Sequence, residues 1–369
     1  MQLDMRVAQN ACGCYDEGSS CPKMRHPEYA IHVSLRRKNV SMQVVITGGG
    51  GFLGAQLCRA LLSRGSLENQ KGDREQIEQI LLVDQRFSGP NVEDRVSQVE
   101  VDISNRTALF DVLPAKKGVS FFHLASMVSG ECEESFDDAL RVNLDGGRNL
   151  FEAARRAGAT SRVVFASSIA CFGGEAMQGE CHDRMKLTPQ TTYGMTKAMC
   201  ELLVNDHSRK GHFDGRSARL PTVIIRPGKP NAAASSWASG MFREPLHGQT
   251  CLLPIRRSQS HPMTGYRTVI ESLIELHDLP KEDLGDDRAV GLPAMSVTPI
   301  QAAAVLRQVA SKRNLKLGEI VDDFQPRIQR IVDNWPTAID GRRALRLGLP
   351  NVSSLEQIVE EYLDDFGNG

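Results

Sequence analysis

The sequence has little net charge and no long apolar run. Its 44 Lys and Arg residues nearly balance 45 Asp and Glu residues, which gives a formal net charge of −1. A chain this close to neutral has no overall attraction to nucleic acid or to an anionic membrane surface, so neither is expected as a partner. No stretch approaches the roughly 18 consecutive apolar residues of a membrane helix. The first residues, MQLDMRVAQN, also lack the apolar core of a secretory signal.

A disulfide framework and a metal-binding pattern are missing too. The nine cysteines are odd in number, which suits reduced thiols in a cytoplasmic protein. Cys12, Cys14 and Cys21 cluster near the N-terminus, but their spacing matches no common zinc site. We therefore predict no metal and a cytoplasmic location. Residues 1–41 are expected to be a poorly ordered leader outside the fold.

From Met42 onward, short apolar runs alternate with helical patterns. Runs such as MQVVIT, QILLVD and RVVFASS are apolar almost throughout, which is typical of strands buried on both faces of a parallel sheet. This pattern predicts an α/β fold over residues 42–228, with a doubly wound parallel sheet of the Rossmann type. Beyond Gly228 the pattern loosens, and residues 229–369 are expected to form mainly a smaller substrate-binding lobe. The polar stretch 66–78 is expected to be a loop.

A glycine-rich stretch, TGGGGFLG, lies between the first predicted strand and the first predicted helix. Gly48 permits a tight turn, Gly51 lets the backbone approach a pyrophosphate, and Gly54 lets the helix pack closely on the strand. The pyrophosphate would lie at the helix N-terminus, around Phe52 and Leu53, where free N–H groups favour an anion. With its strand and helix in place, the motif predicts a dinucleotide site rather than an ordinary glycine-rich turn.

Two acids end the next predicted strands. Asp84 is placed to accept hydrogen bonds from the adenosine ribose hydroxyls and to repel a 2′-phosphate, which favours NAD over NADP. Arg86 could neutralise such a phosphate and so weaken this preference. Asp102, with Ile103 beside it, is placed either to meet the adenine or to cap the helix that begins near Asn105.

Tyr193 and Lys197 stand four residues apart in a helical stretch, so their side chains share one helix face. Alone, such a pair is more simply a surface contact. Ser167 and Ser168 end a predicted strand, either as turn caps or at the sheet edge where cofactors bind. A free Tyr has a pKa near 10, and a neighbouring ammonium would favour the phenolate, so that Tyr193 could act as a base. Together, the glycine loop, the two serines and the Tyr–Lys pair indicate an oxidoreductase that transfers hydride.

These motifs occur in the same order as HLA at 123–125, VNLDGGRNL, SSIACFG, YGMTK and RPG. In this order they resemble the extended short-chain dehydrogenases/reductases, the NAD-dependent epimerase/dehydratase family, over about residues 42–230. The resemblance implies that Ser168 orients the substrate, that Tyr193 is the catalytic base and that Lys197 activates it. It also implies that the NAD cofactor lies along Leu124, Ala125, Asn143, Ser167 and Pro227. Members of the family commonly dimerise through the helix that carries the Tyr, so a homodimer is expected.

Longer stretches, among them TPQTTYGMTKAMCELL and RLPTVIIRPGKPNAAASSWASG, resemble one subgroup of the family. That resemblance implies oxidation of the C2 hydroxyl of a small sugar acid such as D-erythronate. A carboxylate in a closed pocket needs a charged partner, preferably a planar guanidinium. The candidates are Arg243 and Arg267, with Lys229 third. Ser126 and Asn231 are further candidate substrate contacts.

Three other functions share parts of this set of motifs. A nucleotide-sugar epimerase with bound NAD shares every cofactor motif, but it would need a large pocket, and the small residues of 230–236 suit a compact substrate better. Dehydratases of the family place acids beside the catalytic serine, whereas Ile169 and Ala170 follow Ser168 here. A cofactor-binding protein without turnover usually lacks the Tyr or the Lys of the pair, and both are present.

Overall fold

The computed structural model describes residues 41–90, 93–114, 118–175, 177, 180–230 and 233–367, and the statements below concern these residues. The predicted leader, apart from Ser41, lies outside them. The strands, in chain order, are β1 Ser41–Thr47, β2 Ser66–Glu68, β3 Arg74–Asp84, β4 Val96–Glu100, β5 Val119–His123, β6 Arg162–Ser168, β7 Asp214–Leu220, β8 Thr222–Ile224, β9 Cys251–Leu253, β10 His261–Gly265, β11 Ala289–Gly291, β12 Met295–Val297 and β13 Ile320–Asp322.

The helices connect these strands and cover the sheet. In chain order they are α1 Phe52–Arg64, α2 Arg106–Val112, α3 Ser129–Glu134, α4 Phe136–Ala139, α5 Gly146–Ala157, α6 Thr192–Arg209, α7 Ser236–Leu246, α8 Tyr266–Asp278, α9 Lys281–Leu284, α10 Pro299–Arg313, α11 Pro326–Asp333, α12 Arg342–Arg346 and α13 Leu355–Phe366. A π-helical turn over Leu140–Asp145 joins α4 to α5, and a 3₁₀ turn over Ile169–Cys171 follows β6. No helix of the described residues is long and apolar enough to cross a membrane.

The main sheet has the strand order β11-β7-β6-β5-β1-β3, and β2 and β4 both pair with the outer edge of β3. All pairings are parallel except that of β2 with β3. The chain moves outward from β1 in both directions, with helices on both faces, as in doubly wound folds. The predicted fold class is therefore confirmed.

Both faces of the sheet carry an apolar core. On one face, Leu57 and Leu61 of α1 pack with Leu273 of α8. On the other face, Phe151 of α5 and Val204 of α6 pack with the sheet. Because apolar side chains leave both faces of the strands, the buried runs of the sequence are explained by burial on two sides.

The prediction of a loop over residues 66–78 is wrong. Ser66–Glu68 and the first residues of β3 form an antiparallel hairpin, with Ser66 opposite Gln76 and Glu68 opposite Arg74. Its strands carry alternating polar side chains because the hairpin lies at an edge of the sheet, where one face meets solvent. Such a strand lacks the continuous apolar run that identified the inner strands.

A third apolar core lies in the C-terminal part of the chain. Trp237 and Phe242 of α7 pack with Leu306 of α10 and with Ile358 and Tyr362 of α13. A small sheet with the order β12-β10-β8 and a pair formed by β13 and β9 border this core. The chain beyond residue 228 also sends α8 and β11 back to the main sheet. The division at residue 228 stays a prediction.

Candidate active site

The glycine loop connects β1 to α1 at the carboxyl edge of the main sheet. Gly48 has a φ of 76°, in the left-handed region that favours glycine. A Cβ on Gly54 would lie 2.2 Å from the Gly48 carbonyl oxygen, so only glycine lets α1 approach the strand end this closely. Gly51 is the N-cap of α1, and Phe52 and Leu53 form its first turn. The N-terminus of α1 therefore opens beside a tight turn, as an anion site requires.

Asp84, at the end of β3, lies against the same loop. Its Oδ2 accepts a hydrogen bond of 3.0 Å from the backbone N–H of Gly50, and its Oδ1 accepts one of 2.7 Å from that of Gln85. These two bonds fix the carboxylate at the edge of the glycine loop. The structure thus places the Asp84 carboxylate beside the predicted pyrophosphate site, and its role as an acceptor for ribose hydroxyls stays a prediction.

A cavity of about 430 Å³ lies at this edge of the sheet, between the glycine loop, the ends of β5 and β6, and the start of α6. Eleven of the residues predicted from the sequence line it: Gly48, Gly51, Phe52, Leu53, Gly54, Leu124, Ser126, Ser167, Ser168, Tyr193 and Lys197. The parallel strands explain this convergence, because their carboxyl ends all meet at one edge.

Tyr193 lies in the first turn of α6, whose N-cap is Thr191. The Thr191 hydroxyl accepts a hydrogen bond of 3.1 Å from the backbone N–H of Gly194, which fixes where the helix begins. One turn later, the Lys197 ammonium lies 5.5 Å from the centre of the Tyr193 ring and 4.9 Å from that of Phe165. Both predicted partners therefore point inward, and the surface-pair interpretation is wrong.

Burial dominates the electrostatics of the Tyr193–Lys197 pair. Burial raises the pKa of Tyr193, and a hydrogen bond with Ser168 only partly offsets this. The Lys197 ammonium donates a hydrogen bond of 2.8 Å to the Ala166 carbonyl oxygen instead of contacting the phenol oxygen. Burial also lowers the pKa of Lys197 to about 8. Removal from water therefore dominates the pKa of Tyr193 in this structure. That Lys197 supplies part of the stabilisation of the phenolate, together with the nicotinamide ring, stays a prediction.

The two serines at the end of β6 have different partners. Ser168 is the N-cap of the 3₁₀ turn, and its Oγ accepts a hydrogen bond of 3.1 Å from the N–H of Ala170. Ser167 is buried, and its hydroxyl donates a hydrogen bond of 2.5 Å to Oε1 of Glu201. Ser168 thus acts as a turn cap and also lines the cavity beside Tyr193. The two interpretations of this residue are compatible.

Asn143 stands in the π-helical turn and holds the loop after β5. Its Oδ1 accepts a hydrogen bond of 2.7 Å from the N–H of Met127, and its Nδ2 donates one of 3.3 Å to the Met127 carbonyl oxygen. Asn143 is buried and lies behind the residues that line the cavity. It fixes the loop that brings Leu124 and Ser126 to the cavity wall.

The remaining cofactor candidates are not among the residues that line the cavity. Ala125 packs against Gly48, on which a Cβ would lie 2.7 Å from the Ala125 nitrogen. Asp102 accepts hydrogen bonds from Ser104 and pairs with Arg141 at 2.9 Å, an arrangement that closes the turn before α2. The two others, Ile103 and Pro227, lie respectively in the core under α5 and in a separate groove beside Arg243.

The structure does not bring the predicted carboxylate partners to the cavity. Arg267 makes hydrogen bonds of 3.1 and 2.6 Å to the Asp365 carboxylate and lines a groove between α1 and α8. Arg243 pairs with Glu244 and donates a hydrogen bond of 2.9 Å to the Arg226 carbonyl oxygen. Each guanidinium has a neighbouring carboxylate as its partner, which a sequence pattern does not reveal. The predicted substrate contact Asn231 lies outside the described residues.

Sequence reasoning missed a guanidinium that does line the cavity. Arg226 lies two residues beyond β8, and it borders the cavity together with Thr222, Ser235 and Trp335. Arg226 is the first residue of the RPG stretch, which resembles a family motif, and the arginine in this motif is the feature of the sequence that could have indicated it. Among the described residues, no group of three or more His, Cys, Asp and Glu side chains could hold a metal ion. The N-terminal cysteine cluster lies outside that part of the chain.

Comparison with known proteins agrees with this geometry. The model of the NAD dependent epimerase/dehydratase family matches residues 44–262. The chain is 41% identical to a D-erythronate dehydrogenase of Cupriavidus necator over 326 residues, which cover 88% of this chain and 99% of that protein. It is 38% identical to a D-erythronate dehydrogenase of Haemophilus influenzae, again over 88% of this chain and 99% of that protein.

Solved structures show the same architecture. A nucleoside-diphosphate-sugar epimerase from Agrobacterium tumefaciens superposes with a TM-score of 0.79 at 36% identity, over 92% of this chain and 99% of that one. An L-threonine dehydrogenase from Clostridium difficile superposes with a TM-score of 0.77 at 23% identity, over 89% of this chain and 98% of that one. The second likeness concerns the fold alone.

Proposed function

Since the chain belongs to the NAD-dependent epimerase/dehydratase family and is an NAD-dependent dehydrogenase, we propose that it oxidises the C2 hydroxyl of a small sugar acid resembling D-erythronate. Hydride transfer would take place at Ser168, Tyr193 and Lys197. The observation that carries this proposal is that half-buried Tyr193 and buried Lys197 lie beside Ser168 on the wall of one cavity.

Each of the three side chains has a definite task. The Ser168 hydroxyl, whose proximity lowers the pKa of Tyr193, holds the substrate hydroxyl in line with the phenol oxygen. Tyr193 accepts the proton of that hydroxyl as the C2–H bond breaks and its electron pair leaves as hydride. Bound NAD⁺ would supply the hydride acceptor and the positive charge of its nicotinamide ring. Lys197, held by Ala166, keeps a positive charge one turn away, which favours the phenolate during proton transfer.

The cofactor residues fit NAD. The turn of Gly48 and the close approach of Gly54 leave the first turn of α1 open to a pyrophosphate. The Asp84 carboxylate, fixed by Gly50, would accept hydrogen bonds from the adenosine ribose and repel a 2′-phosphate. Asn143 would act indirectly, by holding the loop of Leu124 against the cofactor. For Ala125, Asp102, Ile103 and Pro227, direct cofactor contact stays a prediction.

A small acidic substrate agrees with the cavity and with the relatives. The cavity of about 430 Å³ lies toward the small end of ligand pockets, which span roughly 300–1,000 Å³. It must also take the nicotinamide end of the cofactor. The similarity to the two relatives named D-erythronate dehydrogenase extends over nearly their whole length. This supports a four-carbon acid as the substrate.

A nucleotide-sugar epimerase remains the second candidate. It is favoured by the similarity to the nucleoside-diphosphate-sugar epimerase from Agrobacterium tumefaciens, to which the chain is 36% identical. An epimerase must hold a nucleoside diphosphate as well as a sugar ring, and this cavity offers little room for both.

A substrate panel distinguishes the two functions. The purified protein should be given NAD⁺ with D-erythronate, other small hydroxy acids, and nucleoside diphosphate sugars. We expect NADH absorbance to rise with D-erythronate or a close relative, and the product to be the 2-keto acid by mass spectrometry. Epimerised nucleotide sugar without net NADH would contradict the proposal. Because epimerases return the hydride, NADH accumulation separates the two reactions.

A further inference from the structure

Arg226 is the guanidinium on the wall of the proposed catalytic cavity. It is half-buried and shares the wall with Ser168, Tyr193 and Thr222. The Lys197 ammonium, also on this wall, is engaged by the Ala166 carbonyl oxygen and by two aromatic rings. The described residues that line the cavity include no Asp or Glu. The described wall is therefore positively charged, and Arg226 is its cation in addition to Lys197.

The backbone of Arg226 is held at both polar atoms by side chains of α7. Its N–H donates a hydrogen bond of 3.1 Å to Ser239 Oγ, and its carbonyl oxygen accepts one of 2.9 Å from Arg243 Nη1. The Arg243 guanidinium is in turn paired with Glu244. Such support from a rigid helix fixes the position of Arg226 before any ligand arrives, which lowers the entropy cost of binding.

The guanidinium of Arg226 still has donors to offer. An Arg side chain carries five N–H donors, and one contact to the described residues uses Nη2, which donates a hydrogen bond of 2.6 Å to the Lys229 carbonyl oxygen. Among those residues, Arg226 forms no ion pair with a carboxylate, in contrast to Arg243 and Arg267. Burial lowers the pKa of Arg226, and the Glu244 carboxylate partly offsets this without forming an ion pair with it. An incoming anion would give the half-buried guanidinium a charged partner of its own.

We propose that Arg226 binds the carboxylate of the substrate and sets the preference for an acid over a neutral polyol, and that Arg243 positions Arg226. This inference rests on the proposed oxidation at Tyr193. A planar guanidinium can bind a carboxylate with two parallel hydrogen bonds, which fixes the rotation of the acid as well as its place. With C1 held at Arg226, the neighbouring C2 hydroxyl is presented to Ser168 and Tyr193.

The test compares D-erythronate with erythritol, its neutral analogue, in Arg226→Gln and Arg226→Lys. Arg226→Gln should lower kcat/KM for D-erythronate at least about thirtyfold and change it little for erythritol, because only the acid loses a charged hydrogen bond. Arg226→Lys should lose about tenfold on the acid, since it keeps the charge but not the fork. Arg313→Gln, which removes an exposed guanidinium between α10 and α13, is the matched control.

Binding gives a second readout that does not need turnover of the polyol. Calorimetric binding of D-erythronate to the enzyme–NADH complex should weaken at least about tenfold in Arg226→Gln, with NADH affinity unchanged. Arg243→Gln should raise KM for the acid more than it lowers kcat. If Arg226→Gln does not fold by circular dichroism, Arg226→Lys carries the same comparison.

The outcomes separate this inference from the proposed function. Equal losses on acid and polyol, unchanged acid binding, or a loss confined to NADH affinity would overturn the role of Arg226. If Arg267→Gln instead loses the acid preference, the carboxylate lies elsewhere. Turnover of nucleotide sugars only, or an active Tyr193→Phe variant, would overturn the proposed function itself, whatever Arg226 does.

Discussion

The two ends of β6 and β7 carry buried charge in opposite ways. At the carboxyl end, Tyr193, Lys197 and Arg226 border a cavity whose described wall has no carboxylate. At the amino end, the buried Asp214 carboxylate forms ion pairs with Arg162 at 3.2 Å and with two further arginines. The same pair of strands thus ends in an open site at one edge and in a closed ionic cluster at the other.

The closed cluster is satisfied mostly by the chain itself. Arg162 and Arg216 each donate hydrogen bonds of 2.8 Å to the His277 carbonyl oxygen, at the C-terminus of α8. Arg288 joins them at Asp214 and at the Gly215 carbonyl oxygen. Removing one member of a buried ion pair lowers the stability of the fold, whereas a buried charge that faces a cavity is available to a ligand. The following predictions test that distinction, from the largest expected effect to the smallest.

Tyr193→Phe should lower kcat by about two to four orders of magnitude and leave NAD binding and thermal stability nearly unchanged. The ring still packs on α6, but the proton acceptor is lost. Steady-state kinetics, NADH fluorescence titration and thermal melting measure the three quantities. Tyr266→Phe is the matched control, because this buried phenol contacts Asp365 away from the cavity. A Tyr193→Phe variant with more than about a tenth of the wild-type kcat would contradict the assignment of the base.

Asp214→Asn should have the converse effect. It should lower the free energy of unfolding by about 3–5 kcal/mol, because three arginines lose their buried counter-charge. The kcat of the folded fraction should remain near that of the wild type. Chemical denaturation and active-site titration measure both. Asp206→Asn, which removes an exposed carboxylate paired with Arg209, should leave stability nearly unchanged. A loss of kcat in a stable, folded Asp214→Asn variant would contradict the proposal that the amino ends of β6 and β7 contribute only to stability.

Glu201 combines features of the two kinds of site, because it is buried in an ion pair and also contacts a residue of the cavity wall. It is buried, accepts the hydrogen bond from Ser167, and pairs with Arg219 at 2.8 Å. Burial lowers the pKa of Lys197, whereas the Glu201 carboxylate raises it. Glu201→Gln should therefore lower the pKa of Lys197 below about 8, so that activity falls at a lower pH on the alkaline side.

The pH profile separates this electrostatic role from packing. Asp183→Asn removes a second carboxylate from Arg219, at 3.5 Å, but it does not contact Ser167. It should reduce thermal stability as Glu201→Gln does, and its alkaline limb should coincide with that of the wild type. Identical profiles for the two variants would show that Glu201 contributes only stability.

Asp84→Ala should give the smallest effect. Loss of the ribose acceptor should lower kcat/KM for NAD by about tenfold and raise the relative use of NADP. Kinetics with both cofactors measure the change, and Arg86→Ala serves as the comparison. Should the unmodified enzyme use NAD and NADP equally, Arg86 outweighs Asp84.

The inner strands could be predicted because burial on two faces leaves a simple signal. MQVVIT and RVVFASS are apolar along their length, and the glycine loop must follow such a strand to hold a pyrophosphate. The hairpin of β2 gave no such signal, because its polar residues at the sheet edge resemble those of a loop. Its position depends on pairing with β3, which is a tertiary contact and not a local pattern.

The side chains proposed for catalysis were easier to identify than those proposed to bind the substrate. Tyr193, Lys197 and Ser168 lie at strand and helix ends whose position follows from the fold. For an isolated Arg, the sequence does not show which carboxylate will be near. Arg267 is paired with Asp365, 98 residues away along the chain, and Arg243 is turned to support Arg226. Long-range pairing therefore decides which guanidinium remains for a ligand.

The π-helical turn over Leu140–Asp145 constrains how the length of this segment can change. A π-helical turn closes over one residue more than an α-helical turn, so removal of one residue here would convert it to α-helix and change the direction of the side chains within it. Asn143 could then no longer face Met127, although its chemical identity would be the same. A one-residue deletion is therefore a more severe change at this turn than a substitution of its exposed side chains. In an alignment with relatives, the spacing from Asn143 to the HLA stretch is as informative as the asparagine itself.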